Sequence, residues 1–232
     1  MWLSKLALNL QSRDVRRDLR DCHDLHRTVM SLFGDMPTES AREALGVLYR
    51  VEQSRVSVQV LLQSFAEPDF GRLPGPDARG KEYVAVPPKA TAFGDSLDHI
   101  TSGRRFRFRL RANPTRSVLP DKGTDGLRGR GKRVELRGEE ACQDWIRHKA
   151  EHHGFRLAGC RIDAGPPDPR AIGGKLTGRR QGATLTIATV LFDGLLEVSD
   201  PPLFLQALRH GIGRARSYGQ GLLSLATAPI EG

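Results

Sequence analysis

The stretch Arg104-Arg105-Phe106-Arg107-Phe108-Arg109-Leu110-Arg111-Ala112 alternates without a break from residue 105 onward. Successive side chains of a strand point to opposite faces. Arg105, Arg107, Arg109 and Arg111 therefore share one face, and Phe106, Phe108, Leu110 and Ala112 the other. This spacing predicts a half-buried strand with a guanidinium ladder on its open face. The stretch also opens a charged window. Residues 104–133 hold eleven Lys or Arg against two Asp, in a chain with 36 basic and 27 acidic side chains. The window thus accounts for the whole net charge of +9, and the remaining residues balance at 25 of each sign. A concentrated cationic strip on an otherwise neutral protein gives a polyanion a place to lie. Nucleic acid is the commonest such partner.

Working outward, residues 117–137 contain five glycines or prolines and predict an arm or long hairpin. A helix is predicted from Glu139 to His153, with Glu139 and Glu140 complementing its dipole and Gly154 ending it. Strands follow at Phe155–Asp163, Thr184–Phe192 and Leu195–Val198, with a flexible Gly/Arg-rich segment after the first. Ser199 or Asp200 caps a helix through His210, with Pro201 and Pro202 in its first turn. A glycine-rich loop and a last strand, Leu222–Ala226, complete this half.

The first half follows a similar plan. Leu6, Leu8 and Leu10 mark a strand over Trp2–Leu10, and Cys22, Leu25, Val29, Leu32 and Phe33 stripe a helix over Asp21–Phe33. Asp18 or Asp21 caps that helix, and Gly34 follows it. Leu45–Gln53 and Val56–Phe65 predict a hairpin around Ser54, Glu67–Gly80 a loop, and Lys81–Val86 a closing strand. Each half then reads strand, helix, two strands, connection, strand. The expected fold class is α+β, with two tandem ferredoxin-like (RRM-like) βαββαβ domains. The expected boundaries are 1–88 and 104–232, joined by a linker over 89–103.

At 232 residues the chain suits one large domain or two small ones, and 27 % charged residues is not the composition of a disordered chain. Three cysteines without a CxxC pair argue against a disulfide or zinc framework and for a reducing compartment. The apolar run at the N-terminus is too short for a signal peptide, and no stretch is long enough to span a membrane. A cytoplasmic location with no membrane partner is expected.

Two segments carry candidate chemistry. At ~100° per residue, His26 falls at the margin of the apolar stripe, with His23 and Arg27 beside it. A histidine exchanges protons near neutrality. RNA cleavage by 2′-hydroxyl attack needs a base, an acid for the departing 5′-oxygen, and a cation on the phosphate, and it needs no metal. From the helix alone, a histidine that merely packs remains the alternative. Residues 211–221 place four glycines around Arg214 and Arg216, where bare amides and guanidinium groups suit a phosphate chain. A tight helix-to-strand connection is the alternative. His148, His152 and His153 have helical spacing, but the His-Glu-x-x-His pattern is absent, so no metal and no cofactor are expected.

Asp24-Leu25-His26-Arg27, Arg109-Leu110-Arg111-Ala112-Asn113-Pro114-Thr115 and Gly211–Leu225 together resemble the CasE family of CRISPR-associated endoribonucleases, and the likeness spans nearly the whole chain. The resemblance implies metal-independent cleavage of CRISPR precursor RNA at the base of each repeat hairpin, leaving a 2′,3′-cyclic phosphate type of end. It implies a crRNA product that stays bound, and other Cascade subunits as partners. His26 matches the family's catalytic histidine and Arg27 an RNA contact. A tyrosine often stands three residues earlier, where this chain has His23, which then either replaces it as proton donor or is a spectator. Arg128, Arg130, Lys132 and Arg133 resemble the family's hairpin that meets the RNA stem, and A-form RNA offers such an arm shape and phosphates more than base edges. Arg107, Arg109, Arg156, Arg214 and Arg216 are the remaining expected RNA contacts. The competing reading is a non-catalytic RNA-binding subunit with the same fold. A DNA-binding or ribosome-associated basic protein would explain the charge but not the histidines.

Overall fold

The computed structural model describes residues 1–34, 41–118, 131–163, 168–171 and 174–228. The first half runs β1 (Trp2–Leu8), α1 (Arg13–Arg20), α2 (Cys22–Ser31), α3 (Ala41–Ala44), β2 (Leu48–Gln53), β3 (Val58–Ser64) and β4 (Lys89–Ala92). Its strands form one antiparallel sheet in the order β2-β3-β1-β4, the ferredoxin-like order. Leu6 and Leu8 of β1 face a core with Leu25 and Val29 of α2 and Leu32 just past its end. Strand β1 stops before Leu10, which is about half exposed.

Asp21 caps α2, accepting the His23 amide at 2.8 Å. Asp18 is buried instead, and its carboxylate accepts Thr28 Oγ1 at 2.6 Å and Tyr83 OH at 2.9 Å. The fourth strand corrects the sequence reading. Within Lys81–Val86 only Val84 bridges to β1, at Leu8. Pairing resumes at Lys89, because Pro87 and Pro88 have no amide hydrogen to donate, so the first sheet extends into the expected linker. Between β3 and β4 no α-helix intervenes among the described residues, only a 3-10 turn at Phe70–Arg72.

The second half runs β5 (Arg105–Ala112), β6 (Thr115–Val118), β7 (Lys132–Glu135), α4 (Glu139–His152), β8 (Phe155–Ile162), β9 (Lys175–Arg180), β10 (Ala183–Ala188), β11 (Val190–Val198), α5 (Pro201–His210) and β12 (Leu223–Thr227). Its main sheet has the order β12-β5-β11-β8, the same topology again. Phe108, Leu110 and Ala112 pack inward against Trp145 and Ile146 of α4 and Phe204 and Leu208 of α5. Trp145 stacks on Phe192 at 5.7 Å, a contact type that adds about 0.5–1.5 kcal/mol beyond area burial. Asp200 caps α5 by accepting the Leu203 amide.

The predicted guanidinium ladder exists but is largely neutralised. Across the sheet, Arg105 pairs with Glu197 at 2.9 Å and Arg109 with Asp193 at 2.7 Å, while Arg111 is buried. Residues 175–188, expected to be flexible in their first part, form the β9–β10 hairpin, turning through Gln181 and Gly182 with φ of 50° and 81°. The predicted arm is a hairpin at its base, with β6 paired to β7. Its tip, including Arg128 and Arg130, lies outside the described residues.

The two halves are locked together by buried polar groups. Arg50 of β2 donates to the carbonyls of Arg109 and Leu222 at 3.2 and 3.1 Å and pairs with Glu52 at 2.8 Å. Gln63 donates to Leu208 O at 2.7 Å. No described helix is long and apolar enough to cross a membrane.

Candidate active site

Helix α2 presents His23 and His26 toward the second half. The β9–β10 hairpin lies against its N-terminus. The Asp21 carboxylate ties them, capping α2 with Oδ1 while Oδ2 accepts the Arg179 amide at 3.0 Å. Close approach requires a glycine there. A Cβ at Gly178 would stand 2.7 Å from Asp21 Oδ1 and 2.9 Å from Cys22 Sγ.

The other wall is the glycine-rich loop, which folds into a 3-10 turn at Arg216–Tyr218. Tyr218 reaches both histidines. Its ring centroid lies 5.8 Å from His26, edge-on, and 6.3 Å from His23, and the two imidazoles are 6.3 Å apart. The turn is held from behind. Tyr49 OH donates to Ser217 O at 3.0 Å, and Arg170 donates to Tyr218 O at 3.2 Å. Arg170 is itself buried in a forked pair with Asp168. Gly219, at φ +80°, leaves room for this support, since a Cβ there would meet Arg170 Nη2 at 2.8 Å.

The imidazoles are half-buried, and Nδ1 of each is buried without a hydrogen-bond partner. Burial pushes the His26 pKa down to about 4, and the charges of His23, Arg42 and Arg180 push it the same way. His26 is therefore neutral at pH 7, with a lone pair able to accept a proton. Arg42 is likewise lowered, by burial and by Arg216. A half-buried pair of imidazoles with Arg42 and Arg180 beside His26 is a place where an anion gains and a cation loses.

Next to this site, a cleft of about 420 Å³ is lined by Arg133 of β7, Arg214 and Arg216 of the glycine loop, and Lys149 and His152 of α4. Arg216 thus belongs to the cleft and stands electrostatically beside Arg42. The structure brings Arg133, Arg214 and Arg216 together in one cleft, with Lys132 exposed on the same hairpin as Arg133. Arg27 is exposed on α2 and pairs with Asp24 at 3.2 Å. Arg107, Arg109 and Arg156 are not brought to this cleft. Arg107 lies on the sheet face opposite α4 and α5, in a second cleft with Arg105, Arg161, Gly159 and Gly194. Arg109 spends its charge on Asp193, and Arg156 is exposed at the start of β8.

Sequence reasoning missed Tyr218, Arg42, Arg180 and the Arg170–Asp168 support. Tyr218 is the one aromatic residue of the loop, a signal masked by its glycines and arginines. The others reach the site only through tertiary placement.

A family described as CRISPR associated protein matches residues 1–227. This chain belongs to the CasE family. It is 37 % identical to the CRISPR-associated endoribonuclease Cse3 of Thermus thermophilus, over 97 % of this chain and 100 % of that one. It is 29 % identical to the CRISPR system Cascade subunit CasE of Escherichia coli K12, over 97 % and 99 %. A solved structure of Thermus thermophilus Cse3, bound to an RNA representing a pre-cleavage complex, matches with a TM-score of 0.71 at 33 % identity, covering 97 % of this chain and 98 % of that one. In this chain the Tyr218 phenol arrives from the second half against both imidazoles.

Proposed function

We propose that this CasE protein is a metal-independent endoribonuclease that binds CRISPR repeat hairpins and cleaves at the hairpin base. The N-terminal ferredoxin-like unit supplies the histidines. The C-terminal unit, from residue 104, supplies the basic hairpin and glycine loop. Neutral His26 takes the proton of a ribose 2′-hydroxyl. The oxygen then bonds to the adjacent phosphorus, and the bond from phosphorus to the 5′-oxygen breaks. His23 takes the acid's part and supplies a proton to that oxygen, leaving a 2′,3′-cyclic phosphate and a 5′-hydroxyl. Arg42, Arg180 and Arg216 stabilise the charge developing on the phosphoryl oxygens.

The observation that carries this reading is the His26 environment: burial, with Arg42 and Arg180 nearby, holds an imidazole in its basic form beside the Tyr218 turn. The relatives support it, being an endoribonuclease captured with RNA before cleavage and a Cascade subunit. The cationic cleft holds the stem by phosphates and shape, and the product remains there as the protein joins its Cascade partners. The test is cleavage of the cognate repeat RNA in EDTA by wild type and His26→Ala. Wild type should cleave and leave cyclic phosphate ends. The variant should bind equally and not cleave. Equal cleavage by the variant removes His26 from the chemistry, and binding without cleavage by wild type leaves only an RNA-binding subunit.

A further inference from the structure

Residues 148–152 read His-Lys-Ala-Glu-His. In the order His-x-x-Glu-His, two imidazoles one helical turn apart can hold a single ion. By helical spacing alone, His148 and His152 group with His153, without the His-Glu-x-x-His pattern. Helix α4 regroups these residues. His153 lies at the helix end, with Nδ1 2.7 Å from Lys149 O. Glu151 joins instead: the ligand atoms of His148, Glu151 and His152 all lie within 4.8 Å of one another.

Two further features favour an ion. The rings of His148 and His152 stand 4.2 Å apart between centroids. His152 Nδ1 is 2.8 Å from the His148 carbonyl, so it donates there and leaves the Nε2 lone pair free. A backbone carbonyl fixing the far nitrogen is how metal-binding imidazoles are oriented. All three side chains are exposed, so ordinary rotamer changes can close the cluster to the donor spacing of about 3.3 Å in a tetrahedral zinc site.

We propose that His148, Glu151 and His152 bind a divalent transition metal of the zinc class, leaving a coordination position open to solvent. Imidazole with one carboxylate selects Zn²⁺, Cu²⁺ or Ni²⁺ over Mg²⁺ and Ca²⁺. His152 also borders the cleft shared by Lys149, Arg133 and Arg214, so the ion adds positive charge at its edge. The site is separate from His23 and His26 and does not depend on any reading of the RNA reaction.

Calorimetric titration of Zn²⁺ into the RNA-free protein tests it. The His148→Ala/His152→Ala variant should lose one equivalent of Zn²⁺ found in wild type, and Glu151→Gln should weaken that equivalent. The double variant's loss should exceed the ~10–100-fold effect of removing an outer-shell partner. Alanine favours an exposed helix, and far-UV circular dichroism checks that α4 persists. His153→Ala should keep the equivalent. The proposal is overturned if the double variant binds as much Zn²⁺ as tightly as wild type, if wild type takes up none at millimolar Zn²⁺, or if His153→Ala alone abolishes uptake.

Discussion

His26 should titrate near pH 4 in the free protein, against 6.5 for an ordinary imidazole. Burial is the larger cause, and His23, Arg42 and Arg180 add like-charge repulsion. At about 1.4 kcal/mol per pKa unit, the environment disfavours the imidazolium by about 3 kcal/mol. An ordinary imidazole is only about 10 % neutral at pH 5.5, whereas His26 should be about 97 % neutral there. The assay is the NMR titration of the His26 ring protons, assigned with His26→Ala. Arg42→Gln and Arg180→Gln each remove one cation and should move the midpoint upward, short of 6.5 because burial remains. A hairpin with 2′-deoxyribose at the cleavage site brings phosphates and should raise it further. In the pH dependence of the second-order rate constant for cleavage, the limb that reports the base should accordingly fall near pH 4 and not near 6.5. A midpoint at 6.5, unmoved by either arginine substitution, would refute the reasoning.

Arg170→Met strands the buried Asp168 carboxylate and should lower stability by about 3–5 kcal/mol in thermal or urea unfolding, with Arg170→Met/Asp168→Leu recovering most of it. No recovery would mean that Arg170 acts mainly through Tyr218 and Tyr49. Lys132→Glu/Arg133→Glu should weaken hairpin binding and flatten the dependence of affinity on salt, as measured by filter binding at several salt concentrations. An unchanged slope removes these two from the RNA interface. His23→Tyr separates the two readings of that position. Cleavage at or above the wild-type rate means either donor serves, whereas a large loss with binding intact means the site is built around two imidazoles.

Much of the fold is legible in the sequence, and its failures have physical causes. The alternation of residues 105–112 and the stripe of α2 report burial directly, so both elements fall where expected within a few residues. Helix α1 was hidden because Arg13–Arg20 buries only Val15 and Asp18. The β9–β10 hairpin was hidden because its turn uses Gln181 with Gly182, where Asn or Asp with Gly is the usual signal. The ladder of Arg105–Arg111 was visible, but its carboxylate partners sit on β11, more than 80 residues away in the chain. In the site, residue type and helical spacing brought out His23 and His26. Tyr218, Arg42 and Arg180 converge only when the two halves dock and the hairpin lands on α2.

The most direct measurement is a structure of this protein with its repeat hairpin carrying 2′-deoxyribose at the scissile nucleotide. The account predicts an imidazole nitrogen of His26 within hydrogen-bond reach, about 3 Å, of where the 2′-hydroxyl oxygen would stand. It also predicts the departing 5′-oxygen beside His23 and the stem along Arg133, Arg214 and Arg216. A bound hairpin whose scissile linkage lies far from His26, with another side chain at the 2′ position, would contradict it.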